Sequence, residues 1–166
     1  MRTIVVGVSA SGKTTFTKKL ADKLGVEPIL MDAIVWNPGW NYIGDEQAIE
    51  KIQEVVAKEH WLFEGYVATA MRTEVFDRAD TILYLDYPGW LSAWRYIKRC
   101  FKHRKHPRPE LPGSPETFSF KFLKLVYTKG EVWRLEELFK ENDWNSKIIR
   151  FKTPKEAEQY LADIKN

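Results

Sequence analysis

The sequence predicts an α/β fold in three layers: a parallel sheet of about five strands flanked by helices, with a basic insertion at about residues 95–134. Three observations carry this. Short β-branched or aromatic runs alternate with amphipathic helical patterns along the whole 166-residue chain, the order that builds a parallel sheet with helices on both faces. Asp32, Glu64 and Asp86 each follow such a run, at the strand ends where ligands of α/β sheets gather. Hydrophobic residues make up 44% of the chain and charged residues 30%, enough apolar side chain for a sizeable core and too much for a disordered chain. The length suits one domain over residues 1–166.

The elements follow in order. Thr3-Ile4-Val5-Val6-Gly7 is a β-branched run closed by glycine and reads as a buried strand, after which Phe16, Leu20 and Leu24 recur at helical spacing over 14–24. Gly25 ends that helix, and Ile29-Leu30-Met31 is a second strand closed by Asp32. Ile49, Ile52, Val55 and Val56 make 45–59 an amphipathic helix leading into Trp61-Leu62-Phe63, a third strand ending at Glu64-Gly65. Thr81 to Asp86 is the fourth strand and Lys147 to Phe151 the fifth, followed by a helix from Pro154 to about Ile164. Pro107 to Pro115 reads as a flexible insertion between helices. Trp90, Trp94 and Trp133 stand in helical context and are expected in the core.

Cys100 is the single cysteine, so no internal disulfide is possible, and no Cys/His cluster has zinc spacing. No run approaches bilayer length, and the apolar start is too short for a secretory signal. A cytoplasmic protein without a membrane partner is the expectation. The net charge is only +3, but Arg95 to Arg134 holds 11 basic and 3 acidic residues, so a surface for anionic partners is local.

Gly7-Val8-Ser9-Ala10-Ser11-Gly12-Lys13-Thr14 fits the pattern G-x-x-x-x-G-K-[ST] between a strand and a helix. Its glycines allow a tight turn whose N–H groups face an anion, and the helix after it adds its positive end. This is the phosphate-binding P-loop, and the fold expected around it is the P-loop NTPase fold. ATP is then expected against Gly7, Ser9, Ala10, Ser11, Gly12, Lys13, Thr14 and Thr15, with Lys13 reaching the β- and γ-phosphates and Thr14 binding Mg²⁺. Kinases, GTPases and motor ATPases share this loop. No Asn-Lys-x-Asp tetrapeptide for guanine is present, and the chain is short for a motor, which leaves a small kinase.

The chain resembles the DNA topology modulation protein family, a branch of the adenylate-kinase-like P-loop kinases. The residues that carry the likeness are the P-loop, Met31-Asp32-Ala33-Ile34-Val35-Trp36-Asn37-Pro38-Gly39-Trp40, Glu64-Gly65-Tyr66, Arg78-Ala79-Asp80 before Leu85-Asp86-Tyr87-Pro88, and Arg95 to Arg99. The family usually has Asp-Gly after the third strand, where this chain has Glu64-Gly65. The resemblance implies an ATP phosphotransferase in which Asp32 contacts the acceptor or its proton, Glu64 helps to orient Mg²⁺, and Arg72 binds an acceptor phosphate. Asp32, Trp36, Trp40, Glu64, Gly65 and Arg72 are its expected substrate residues.

Between Arg95 and Arg108 stand Arg95, Lys98, Arg99, Lys102, Arg104, Lys105 and Arg108 without an acid among them. Arg95 and Arg99 lie one helical turn apart and could close on a triphosphate as a lid, whereas the lysines read as a solvated face. Together with Lys13 and Asp32 these two arginines are the expected catalytic residues. Trp36, Trp40 and Tyr42 could stack on a flat acceptor ring or form a small core beneath a loop. Asp86 ends its strand as a Walker B aspartate does, or serves a turn; Arg78 could pair with Asp80. Two functions remain: an Mg²⁺-dependent phosphotransferase acting on ATP and a nucleotide or other small-molecule acceptor, or a nucleic-acid-associated regulatory ATPase linked to DNA topology. The acceptor and the oligomeric state are not readable from the sequence.

Overall fold

The computed structural model describes residues 1–65 and 72–164. Five parallel strands form its main sheet: β1 (Arg2–Gly7), β2 (Pro28–Leu30), β5 (Trp61–Glu64), β6 (Thr81–Leu85) and β7 (Ile148–Phe151), in the order β2-β5-β1-β6-β7. The first strand is central and pairs with β5 on one side and β6 on the other. Since β1 is followed by neighbours on both sides of it, the chain reverses its winding there, and the loop after β1 opens at the switch point where α/β sheets bind ligands.

Alternation along the strands sorts the core into two. Ile4, Val6, Phe63, Ile82 and Tyr84 face one way, onto α3 (Asp45–Val56), α4 (Arg72–Arg78) and α7 (Trp133–Glu141). Val5, Leu62, Leu83 and Leu85 face the other, onto Phe16 and Leu20 of α1 (Lys13–Leu24) and Ala157 and Leu161 of α8 (Pro154–Asp163). β1, β5 and β6 are buried on both faces, which is why these segments read as nearly continuous apolar runs, whereas the edge strands β2 and β7 are partly exposed. Ile4, Val5, Phe63, Ile82, Leu83 and Tyr84 are all completely buried. The three-layer parallel architecture is therefore the one the sequence predicts.

Differences lie outside the main sheet. Met31 opens a short helix, α2 (Met31–Val35), instead of ending β2, and a two-strand antiparallel hairpin follows, β3 (Trp36–Asn37) and β4 (Asn41–Tyr42). The basic insertion comprises α5 (Gly89–His103), α6 (Phe120–Tyr127) and the approach to α7. Its proline-rich stretch is not a loose linker: Leu111, Ser114 and Glu116 are buried, the Ser114 hydroxyl accepts from the Gly39 and Trp40 N–H groups at 3.1 and 3.3 Å, and Gly39 N–H also reaches the Gly113 carbonyl at 3.0 Å. The hairpin and this stretch thus hold one another.

Two sequence expectations are corrected by the packing. Trp90, Trp94 and Trp133 are not core residues but are 61%, 51% and 53% exposed, because α5 buries Ser92, Ala93, Tyr96 and Cys100 and α7 buries Leu135 and Phe139 instead. Asp80 pairs with Arg2 at 2.7 Å, not with Arg78. At the start of α5, a Cβ on Gly89 would collide with the Tyr127 carbonyl, so only glycine lets α5 and α6 meet there. Among the described residues no helix is long and apolar enough to cross a membrane.

Candidate functional site

The loop from Val8 to Gly12 joins the end of β1 to the start of α1. Gly12 caps the helix with φ at 101°, a left-handed conformation that other residues adopt only with strain. No acid stands in the first turn of α1, so the positive end of the helix faces the loop uncompensated. Ser11 N–H closes the turn onto the Val8 carbonyl at 3.1 Å, and the Lys13 ammonium folds back to the same carbonyl at 3.1 Å. The loop borders a cavity of about 620 Å³, whose lining includes Gly7, Ser9 to Thr15, Asp32, Glu64, Gly65, Arg95 and Arg99.

Glu64 ends β5, next to β1, and accepts a hydrogen bond from the Thr14 hydroxyl at 3.2 Å. It is only 6% exposed. Burial pushes its carboxyl above the usual range, and the nearby Lys13 charge and the Thr14 bond oppose that push without cancelling it. Thr14 and Glu64 place two hard oxygen donors together at the foot of the P-loop. Among the described residues no group of three or more His, Cys, Asp or Glu side chains could hold a metal by itself. Mg²⁺ does not need one, because it keeps waters and phosphate oxygens in its shell and takes one or two protein ligands.

α5 presents two faces with different jobs. Arg95 and Arg99 turn towards the cavity; Arg95 donates to the Ser11 carbonyl at 2.5 Å and lies 5.5 Å over the Tyr87 ring. Arg99 meets Glu116 at 3.1 Å, and Arg108 meets the same carboxylate oxygen at 3.0 Å. Arg108 also faces Glu110 at 3.6 Å and Asp32 at 3.7 Å, and Lys18 from α1 reaches Glu110 at 3.2 Å. Glu116, Glu110 and Asp32 thus share these cations, which lowers the repulsion among them. Asp32, in the first turn of α2, keeps a half-exposed carboxylate. Lys102 and His103 line the cavity too, so that side of the helix is not simply a solvated face.

Other expected residues stand elsewhere. Trp36 and Trp40 pack within their hairpin, their rings 5.8 Å apart with Tyr42 5.4 Å from Trp36, while the Trp40 indole N–H donates to the Pro115 carbonyl at 2.8 Å. Neither lines the cavity. Arg72 opens α4, but its side chain, like Tyr66, lies outside the described residues. The Asp86 carboxylate is taken by Lys129, Lys152 and, at 3.1 Å, Arg150, which also grips Glu136 through two bonds of 2.7 and 2.9 Å. Burial pushes Asp86 up, but Lys129 and Lys152 outweigh it and hold the carboxyl below the usual range. It is a structural hub, outside the cavity lining.

Nothing local in the sequence marks Glu110, Glu116 and Glu131, or a special place for Arg108. Arg108 is one cation among seven in its run, and Glu116 differs from a surface acid only by standing among prolines.

No protein-family model matches the chain, and no curated protein does. A solved structure that it resembles is that of "a putative kinase from Chloroflexus aurantiacus J-10-fl", with 22% identity over 76% of this chain and 77% of that one and a TM-score of 0.54. That likeness is one of fold, a parallel sheet flanked by helices.

Proposed function

We propose that this protein is an Mg²⁺-dependent ATP phosphotransferase of the adenylate-kinase-like kind, cytoplasmic, acting on a nucleotide or other small acceptor. We place it with the DNA topology modulation protein family on the motifs quoted above. One observation carries the reading: a P-loop with Lys13 and Thr14 shares a single cavity with two carboxylates, Asp32 and Glu64, and with two arginines from a helix laid across it. A cavity of this volume accommodates a nucleotide with room for a second small molecule.

The roles follow from the chemistry of phosphoryl transfer, which asks chiefly for positioning and for charge neutralisation. The loop N–H groups and Lys13 hold the phosphates. Thr14 and Glu64 are the residues that would hold Mg²⁺, which when bound neutralises charge on the β- and γ-phosphate oxygens. Asp32 is free on one side to orient an acceptor hydroxyl and accept its proton. Arg95 and Arg99 direct guanidinium groups at the charge that spreads over the transferred group. Phe16, Tyr87, Pro154 and Ala157 give the same cavity an apolar stretch of wall suited to the adenine ring.

A second reading has its own observation. Trp94 lies 4.9 Å under the Lys98 ammonium, and Phe101 is 78% exposed further along the same helix face, the pairing of aromatic and basic groups used on single-stranded nucleic acid. Transfer of radiolabelled phosphate from ATP to a panel of nucleoside monophosphates, sugar phosphates and polyols separates the two. Under the kinase reading one acceptor class is labelled without added nucleic acid, and Lys13→Ala loses detectable transfer while circular dichroism shows an unchanged fold. Wild-type turnover in Lys13→Ala would remove the assigned role, and hydrolysis that requires DNA or RNA would favour the second reading.

A further inference from the structure

Glu131 stands 122 residues after Ser9, yet its carboxylate takes both polar hydrogens that Ser9 offers: the backbone N–H at 2.6 Å and the hydroxyl at 2.8 Å. The turn that delivers it follows α6. Lys129 there adopts a left-handed conformation, φ 58°, and pairs with Asp86, while Val132 N–H bonds back to the Lys129 carbonyl at 3.0 Å. Glu131 is therefore held from both sides, in the lining of the same cavity as Lys13 and Arg95. No lysine or arginine side chain among the described residues forms an ion pair with it. Its bonds go to the P-loop itself.

A carboxylate accepting from a P-loop N–H does what a phosphate oxygen does, since both are anions satisfied by oriented backbone donors. Negative charge fixed beside a site for polyphosphate also repels it, in surroundings where water screens only partly. We propose that Glu131 is an internal competing anion: it occupies Ser9 and must give way when polyphosphate enters the loop. In doing so it sets how much nucleotide is needed to fill the site. Repulsion scales with ligand charge, so ATP is penalised more than ADP. This inference rests on the P-loop reading above.

The opposite role for the same contact is a brace that keeps the loop in its phosphate-ready shape. The two differ in sign. Glu131→Gln removes the charge but keeps a side-chain oxygen that accepts from Ser9, whereas Glu131→Ala removes both. The full chain and each variant would be titrated calorimetrically with MgATP, MgADP and inorganic tripolyphosphate, their folds compared by circular dichroism. Glu131→Gln is expected to bind ATP and tripolyphosphate about tenfold more tightly, the equivalent of one pKa unit of charge interaction, with a smaller gain for ADP. Unchanged or weakened binding in Glu131→Gln overturns the proposal, and weakening confined to Glu131→Ala identifies the brace. If Glu131→Ala does not fold, the Gln variant alone decides. Failure of the unaltered chain to bind any of the three removes the P-loop reading and this inference with it; binding of all three without a gain in Glu131→Gln removes only the inference.

Discussion

The floor of the cavity and its basic wall are built on different plans. The floor, Gly7 to Thr14, is one contiguous stretch from the end of a central strand into a helix. The wall takes its side chains from α2, α5, the 104–117 stretch and the turn before α7, and is held by ion pairs to a few shared acids. A side-chain replacement in the floor removes one group and leaves the cradle standing. In the wall, Arg99 and Arg108 share one Glu116 oxygen, so loss of either leaves the other with a different balance of charge. Contiguity therefore confers independence, and shared acids confer coupling.

The largest expected effect that tests this contrast is in the wall. Arg99→Ala should lower turnover by on the order of 10³-fold, as the loss of a transition-state arginine does. It also frees Glu116 for Arg108, so a double-mutant cycle with Arg108→Ala should be non-additive. Additive losses would show that Glu116 does not couple them. The same Arg99 variant, titrated with single-stranded DNA over a salt series, should keep its salt slope; a slope reduced by about one would transfer Arg99 to a nucleic-acid surface.

Glu64→Gln sharpens the comparison at the carboxylate that meets the floor through Thr14. The expected fall in turnover is on the order of 10²-fold, within the range lost when a group that supports a metal is altered, with ATP affinity much less affected. Because burial raises the Glu64 carboxyl, its neutral form favours the folded state and its ionised form costs stability once pH passes its range. Wild-type turnover is then expected to rise as Glu64 ionises, while that ionisation makes the fold less stable. Glu64→Gln should therefore melt higher than wild type, by a margin that grows with pH up to full ionisation. Equal melting temperatures across that range would show that burial of the charge is not what Glu64 costs the protein.

The smallest effect on turnover should come from Asp86→Asn, outside the cavity. It leaves Lys129, Arg150 and Lys152 without their common carboxylate. The loss should be about 2 kcal/mol by urea unfolding, below the value for a fully buried pair because the three cations are partly exposed. A lowered carboxyl contributes stability above its unfolded range that is lost as pH falls through its folded one. The difference between variant and wild type should consequently shrink in acid, and a constant difference would point to packing instead.

The same contrast explains what was legible. β1, β5 and β6 could be read because they are buried on both faces and nearly apolar throughout, β2 and β7 because their short apolar runs stand between turn and helix signals, and the Gly7-to-Thr14 pattern stood out because its eight residues are consecutive. The hairpin at Trp36 was missed because each of its strands is only two residues long, too short for an alternation to register. Trp90, Trp94 and Trp133 misled because hydrophobicity says nothing of which helix face meets the core. Glu116 and Glu131 work through partners 17 and 122 residues away, and no local pattern marks such distances.

The close approach at Gly89 has a mechanical consequence. α5 comes closest to the α6 backbone at its first residue and packs on Phe122 through Tyr96 further along, so a rigid swing of α5 about Gly89 would move each residue in proportion to its distance from that point. At about 1.5 Å of rise per residue, Arg95 stands roughly 9 Å from that point and Arg99 roughly 15 Å. A swing of about 10° would carry them about 1.6 and 2.6 Å along their arcs. Two arginines one turn apart on the same helix would thus have unequal strokes: the shorter belongs to the residue bonded to the Ser11 carbonyl, the longer to the one paired with Glu116.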